Sequence, residues 1–341
     1  MALQTFIVGF GRSGLDLHWK TLRRLRESGN PLFATAPAVV WDARDITAEA
    51  HREGLIPVAS LKQARELLDP RDTVVHLCTT PDSRLGLLNE LADLGFRRIL
   101  VEKPLAADLT TAYEIDALRH ERDLELTVVA QWLESGLVRR MQDLIDSAEL
   151  GRLVSIKVAQ HKSRVDRTLS SAGHHPTAFD VELPHSLGCV LRLAGNAWLT
   201  GAALLDMVTE DAVVPGMGSA RTVLEHDNGV CTEIFSDLVS PVRVRRVVLT
   251  FTEGTAIGFF PVSGDDNYAH LRILRGIRQG VSVFADDALS AFFVKVYTDY
   301  SQGVYRLEDF SLACRAVELI AAAKDQCLTQ VKAEEVMSHV S

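Results

Sequence analysis

From Thr5 to about Leu105, short apolar runs alternate with stretches in which apolar residues recur every three to four positions. The first pattern is that of buried strands and the second that of helices with one buried face. Residues 5–10, 37–44, 73–80 and 97–104 read as strands, and 15–28, 60–68 and 84–95 as helices between them. In the first helix Leu15, Trp19, Leu22 and Leu25 fall on one face. Strand and helix in turn, with strands apolar on both faces, predict βαβ units and a doubly wound parallel sheet.

Past residue 130 the pattern changes. Residues 137–151 read as a helix stopped by Gly151. Strand-like stretches follow at 154–162, 196–208, 220–239 and 243–262, broken by turn signals at Asp227-Asn228-Gly229 and Glu253-Gly254. They predict a mostly antiparallel open sheet. A final helix over 307–326 carries Phe310, Ala313, Cys314, Val317 and Ile320 on one face, fit to cover that sheet or to return to the first domain. The boundary is placed near Ala130, giving domains 1–130 and 131–341 and an α/β protein with an α+β second domain.

A length of 341 residues suits two cores better than one. The chain is 47% hydrophobic and 24% charged, the balance of soluble globular domains. Its net charge of -9 disfavours nucleic acid or an anionic membrane as partner. Charged residues interrupt every hydrophobic stretch before it reaches the roughly 18 residues of a membrane span. The five cysteines are widely spaced and form no C-x-x-C pair, so they read as free thiols in a reducing compartment, the cytoplasm. The start of the chain lacks the pattern of an export signal. A small molecule is the expected partner.

Gly9-Phe10-Gly11-Arg12-Ser13-Gly14 fits G-x-G-x-x-G directly after a strand and before a helix, the context that gives this short motif meaning. Gly9 allows the tight turn, Gly11 the approach of a pyrophosphate, and Gly14 close packing of helix on strand. The helix start offers free N–H groups and a positive dipole end to phosphate. Asp42 ends the second strand, where a carboxylate can accept from the adenosine ribose diol and favours NAD. Arg44 can offset its repulsion of a 2′-phosphate, so NADP stays open. An ordinary glycine-rich turn and a turn-capping Asp42 are the structural alternatives.

With these features, the Thr79-Thr80-Pro81 turn and above all Glu102-Lys103-Pro104, the chain resembles the Gfo/Idh/MocA family of sugar and inositol oxidoreductases. The resemblance runs over nearly the whole chain, through 144–158 and 313–326. It implies that Lys103 lies beside the nicotinamide and the substrate hydroxyl, where an ammonium stabilises negative charge as a proton leaves. It also implies an aspartate and a histidine in the second domain. The candidates are Asp180 and His185, five residues apart rather than the family's four, with Glu182 three residues before the histidine and Pro184 where a helix is only starting. His185 is the candidate general base, with Asp180 or Glu182 as its partner. Helix capping competes for both acids, and a satisfied buried histidine competes for His185.

Lys103, Arg164, His174, Glu182 and His185 are the candidate substrate-binding residues, with Tyr268 a further hydrogen-bonding group. Lys162, Arg164 and Arg167 can bind a phosphate or carboxylate on the substrate, or simply stand in water. His174 and His175 add to the histidines, but no spacing matches a metal site, and none is assigned. Arg84, near where relatives place a histidine, and 130–135, which departs from their usual asparagine- and arginine-containing segment, leave the substrate open. The function implied is hydride transfer between NAD(P) and a secondary hydroxyl or ketone of a sugar, sugar phosphate, nucleotide sugar or cyclitol. The alternatives are a nucleotide-binding sensor of the same fold and a reductase of a non-sugar imine or carbonyl. Relatives commonly pair through the open second sheet, so a homodimer or homotetramer is expected, with the apolar run 244–251 as a candidate interface.

Overall fold

The computed structural model describes residues 2–170, 175–263, 266–305 and 307–340, the side chains of 330–340 excepted. Its contacts divide the chain into one unit of Met1–Gln131 with Leu289–Val317 and another of Trp132–Ala288 with Glu318–Ser341. The sequence reading placed 131–341 in the second domain and allowed the final helix to pack back on the first; by contacts Leu289–Val317 groups with the first unit and Glu318–Ser341 with the second.

The first unit is built on six parallel strands: β1 (Gln4–Val8), β2 (Val39–Trp41), β3 (Ile56–Pro57), β4 (Thr73–Leu77), β5 (Arg98–Val101) and β6 (Glu125–Val128), in the order β3-β2-β1-β4-β5-β6. This is a doubly wound arrangement of parallel strands. Successive residues of each strand serve opposite faces. Phe6, Val8, Val75, Leu77, Ile99 and Val101 join one buried cluster with Leu61 of α3 (Leu61–Leu67), Leu88 and Leu91 of α4 (Pro81–Asp93) and Ile115 of α5 (Leu109–Glu121). Ile7, Val40, Val74 and Leu100 join another with Leu22 of α1 (Lys20–Glu27), Ala50 of α2 (Thr47–Arg52) and Phe292, Phe293, Val296 and Tyr297 of α9 (Ala288–Gln302). Fully burying each large apolar side chain contributes about 1.5–3 kcal/mol, which is why both faces of these strands are mainly apolar, with Thr5, Thr73 and His76 as buried polar exceptions. The clustering of four apolar and aromatic residues of α9 against this sheet explains why Leu289–Val317 belongs here. The patterning missed α5, β6 and α9, and it gave the first helix as one piece. Its opening turn, Ser13–Trp19, is wound more widely, as a π-helix, before α1 begins.

In the second unit α6 (Gly136–Ser147), α7 (Val165–Leu169) and α8 (Ala178–Ala194) accompany an eight-stranded sheet. The strands are β7 (Leu153–His161), β8 (Ala197–Val208), β9 (Val213–His226), β10 (Cys231–Asp237), β11 (Val244–Phe251), β12 (Thr255–Phe259), β13 (Tyr268–Arg275) and β14 (Arg278–Ala285), in the order β14-β13-β12-β11-β7-β10-β9-β8. Every pairing is antiparallel except β7 with β10. Helix α8 lies against β7–β10 and α6 against β12 and β13. Ile156, Val158, Val247, Leu249 and Ile234 are buried, while Lys157, Arg246 and Val248 are exposed or half-buried, so 244–251 turns its apolar residues mainly inward. Asp286 closes the start of α6 by accepting from Ser135 Oγ at 2.5 Å and the Gly136 N–H at 2.7 Å. The last helix, α10 (Leu307–Val340), runs past the expected end at 326.

Candidate functional site

Parallel pairing brings four of the sequence-selected segments to one edge of the six-stranded sheet. Val8 is in register with Trp41 and Leu77, and Leu77 with Val101. The glycine turn, Asp42, Thr79–Pro81 and Glu102–Pro104 all follow immediately beyond those residues. The ladder continues one step further, from Gly9 N–H to the Trp41 carbonyl at 2.8 Å, Cys78 to Val8 at 2.7 Å and Glu102 to Leu77 at 3.0 Å. This carboxyl edge, beside the crossover between β1 and β4, is where open α/β sheets bind ligands.

The turn itself is fixed by close approach. Gly9 has φ +93°, and a Cβ there would stand 2.9 Å from Thr79 Cγ2. A Cβ on Gly14 would stand 2.0 Å from the Gly9 carbonyl oxygen. A Cβ on Gly11, by contrast, meets nothing within 4 Å. Gly11 is exposed, so its backbone is open to the approach of a pyrophosphate. Thr79 Oγ1 is buried without a hydrogen-bond partner among the described residues. Both observations fit a bound dinucleotide. Phe10 donates its N–H to Asp42 at 2.7 Å, and Asp42 also accepts from the Arg44 N–H at 2.9 Å and Arg44 Nε at 3.2 Å. Partial burial pushes the Asp42 carboxyl up, but these hydrogen bonds and the Arg44 charge outweigh it and hold the group below its ordinary range. Arg12 is exposed at the start of the wide helical turn, and Ser13 is half-buried.

Lys103 is half-buried and joined to Pro104 by a cis peptide bond. Glu102 accepts from the Lys103 N–H at 3.1 Å and from His18 Nε2 at 2.9 Å. Burial alone would raise its carboxyl, but His18, Lys103 and Arg84 bring it down to about 2. Arg84, only 2% exposed, donates to the carbonyls of Thr79 at 2.8 Å, Leu105 at 3.3 Å and Pro104. It ties the Thr79 turn to the lysine turn, a role the sequence did not suggest. Burial lowers its guanidinium to about 10.

In the second unit Thr177 and Asp180 form a capping box, so α8 begins at Ala178 and Pro184 lies inside it rather than at its start. Asp180 Oδ2 accepts from the Thr177 N–H at 3.0 Å and hydroxyl at 2.8 Å, and Oδ1 accepts from Lys324 at 2.6 Å. Oδ2 thus caps the helix start, the capping alternative raised from sequence, while Oδ1 is paired with Lys324. Glu182, three residues before His185, is buried and accepts from Gln160 Nε2 at 3.1 Å and Lys162 at 3.2 Å. Ser186 donates to Gln160 Oε1 at 2.5 Å. His185 is half-buried and stacks on Trp132, which stacks on Phe260 with centroids 4.0 Å apart.

Arg164 is buried at the start of α7, Tyr268 is 54% exposed on β13, and His175 is half-buried. His174 lies outside the described residues. Gln160, Ser186, Trp132 and Phe260 were not picked out from sequence, and Arg84 was noticed only as a departure from the family pattern. Gln160 carried a usable signal, since the two-residue period of β7 sets it on the inward face with Ile156 and Val158. No group of three or more His, Cys, Asp or Glu suited to a metal occurs among the described residues, and no helix there is long and apolar enough to cross a membrane.

No family model and no curated protein matches the sequence. Solved structures do. The chain is similar to KijD10, a 3-ketoreductase from Actinomadura kijaniata in complex with NADP and TDP-benzene, at 15% identity and TM-score 0.79 over 95% of this chain and 98% of that one. A putative NADPH-dependent oxidoreductase from Desulfitobacterium hafniense matches at 15% identity and TM-score 0.81 over 97% and 96%. UDP-N-acetylglucosamine 3-dehydrogenase GnnA from Acidithiobacillus ferrooxidans matches at 17% and 0.73 over 96% and 98%. At such identities the likeness establishes a shared two-part α/β fold.

Proposed function

We propose that this chain is an NAD(P)-dependent oxidoreductase of the Gfo/Idh/MocA kind, acting on a secondary hydroxyl or ketone of a sugar or related polyol. The observation that carries the reading is the gathering of the glycine turn, Asp42, Thr79–Pro81 and Glu102–Pro104 at one carboxyl edge of the parallel sheet. The open space over Gly11 fits it, and so do the structural neighbours, among them the 3-ketoreductase KijD10 in complex with NADP. Asp42 favours NAD and Arg44 admits NADP. Among substrates, a nucleotide sugar is the preferred class, since KijD10 is in complex with TDP-benzene and GnnA is a UDP-N-acetylglucosamine 3-dehydrogenase.

The nicotinamide, when bound, supplies the hydride acceptor or donor. Lys103 hydrogen-bonds the reacting oxygen and stabilises its negative charge, and His185 exchanges the hydroxyl proton, its ring oriented by Trp132. Glu182, Lys162 and Gln160 hold polar groups of the substrate domain in place for hydroxyl or phosphate recognition. Asp180 enters as the residue that starts α8. Two copies pair through the uncovered sheet face, where Val223, Val248 and Ile257 lie in register rows with Lys157, Glu233 and Arg272. Sedimentation of the native chain and of Val248→Glu tests that pairing.

The functional test is a fluorescence titration with NADH and NADPH, followed by turnover on nucleotide sugars, sugar phosphates, hexoses and inositols. Lys103→Ala and His185→Ala are each expected to lower turnover by roughly 10²–10⁴-fold while cofactor binding persists. Binding without turnover on any of these would favour a sensor, and no binding would end the oxidoreductase reading.

A further inference from the structure

The first unit buries a row of polar side chains at the heart of its parallel sheet. His18 and His76 are both 0% exposed, and their Nδ1 atoms are 2.8 Å apart. On one side, His18 Nε2 reaches Glu102 Oε1 at 2.9 Å, and Glu102 holds the Lys103 N–H. On the other, His76 Nε2 is 2.9 Å from the Tyr297 hydroxyl, which is 2.9 Å from Thr5 Oγ1. Phe293 packs against both rings at 5.0 and 5.2 Å between centroids. The row runs without a break from β1 to the lysine turn.

Only one proton fits between two facing Nδ1 atoms, and that choice decides every other hydrogen in the row. An ionised Glu102 requires His18 Nε2 to donate. If His18 carries that proton alone, its Nδ1 accepts from His76 Nδ1–H, His76 Nε2 accepts from the Tyr297 hydroxyl, and Tyr297 accepts from Thr5. If His18 gains a second proton, its Nδ1 donates, His76 becomes the Nε2–H tautomer and donates to Tyr297, and Tyr297 donates to Thr5. Both arrangements satisfy every ring nitrogen, as groups this deeply buried require. The added proton belongs on His18, whose other nitrogen bonds a carboxylate. Burial and the charge of His18 hold His76 well below the ordinary histidine value.

We propose that Thr5, Tyr297, His76 and His18 form a buried proton wire ending on Glu102, that one proton taken up at His18 reverses the whole row, and that the row thereby sets the charge beside Lys103. With His18 neutral, Glu102 is compensated by Arg84 alone and favours the Lys103 ammonium. With His18 cationic, Glu102 is compensated further and that support weakens. His18 is a positioning residue, acting through Glu102. The other charged or titratable groups near the row are Arg84 and Cys78 toward Glu102 and Arg26 toward Tyr297. The bearing on catalysis rests on the proposed hydride transfer, but the wire itself does not.

The test is histidine and lysine NMR of the full chain across pH 5 to 9, with no substrate or cofactor added. Three reporters should share one midpoint: His18 passing from one to two ring protons, His76 passing from Nδ1–H to Nε2–H, and the Lys103 Cε resonance, assigned with Lys103→Arg. Glu102→Gln removes the counter-charge and should move the midpoint down by about one pH unit or more. Tyr297→Phe removes the partner of His76 Nε2 in both arrangements and should displace the shared midpoint while the two rings still change together, which keeps the test alive if the first variant fails to fold. A His76 tautomer that stays fixed while His18 titrates, or the absence of any transition, overturns the wire. A Lys103 resonance unmoved at the shared midpoint overturns the link to the lysine. Because no turnover is read, failure here is separate from failure of the oxidoreductase reading.

Discussion

The two units build their candidate sites from different materials. In the first, the site is mostly backbone: a glycine turn shaped by contacts of Gly9 and Gly14, ladder bonds carried one step past the strand ends, and carbonyls of Thr79, Pro104 and Leu105 gathered by Arg84. In the second, it is side chains projecting from β7 and α8, with Glu182 between Gln160 and Lys162 and His185 on Trp132. A site made of backbone tolerates few residue types, because glycine is needed where a Cβ cannot fit. A site made of side chains can change its members while the fold persists, so it is the half suited to set the substrate.

If the first site is rigid backbone, its most crowded glycine should be the costliest to change. Gly14→Ala places a Cβ 2.0 Å from the Gly9 carbonyl oxygen, and helix and strand must separate to admit it. We expect a loss of roughly 3 kcal/mol or more in denaturant unfolding, together with loss of nucleotide binding. A variant as stable as the native chain would mean that the turn gives easily and the contrast with the second unit is mistaken.

Acid should also strike the first unit, through Glu102. Its carboxyl lies at about 2 when folded, against an ordinary value of 4.5. A depressed carboxyl stabilises the fold fully above the unfolded value, and that stabilisation is lost as pH falls through about 4.5 toward about 2, on the order of 3 kcal/mol. Unfolding free energies measured across that window should fall less steeply for Glu102→Gln than for the native chain. Equal slopes would show that Glu102 gains nothing from His18 and Lys103.

In the second unit the corresponding change is Glu182→Leu. It removes the acceptor of Lys162 and Gln160 and the charge that offsets the lowering of Arg245 by burial. Lys162 keeps some contact with water, so a loss of about 2 kcal/mol is expected, less than for a fully buried ion pair. Glu182→Gln should recover much of it by keeping a hydrogen-bonding oxygen. If both variants are neutral, the second cluster is looser than its geometry implies.

The same contrast explains what was legible in the sequence. The glycine turn, Asp42 and the Glu102-Lys103-Pro104 segment are contiguous, and each follows an apolar run whose strand ends at the same sheet edge, so local pattern was enough. The buried wire was not legible, since His18 and His76 are 58 positions apart and each looks like a stray polar residue on a buried element. Arg84 was noticed only as a departure, because its carbonyl partners depend on the backbone course at the lysine turn. Pro184 misled the placement of α8, since a proline commonly opens a helix, while the Thr177 and Asp180 capping box starts this one earlier. Helix α9 was missed because its aromatic residues at 292, 293, 297 and 300 match strand composition as readily as a helical face.

The smallest expected change in stability belongs to Gly11, and it separates nucleotide cradle from ordinary turn most cleanly. A Cβ there meets nothing within 4 Å, so Gly11→Ala should leave unfolding within about 0.5 kcal/mol of the native chain. A phosphate resting on the turn must come close to that backbone, and the added methyl would stand in its way. Fluorescence titration with NADPH should then show affinity reduced by about tenfold or more, equivalent to about 1.4 kcal/mol of binding. Gly14→Ala cannot make this distinction, because it damages fold and binding together. Stability and affinity both unchanged in Gly11→Ala would place the pyrophosphate elsewhere and leave Gly9-Phe10-Gly11 as a turn with no ligand of its own.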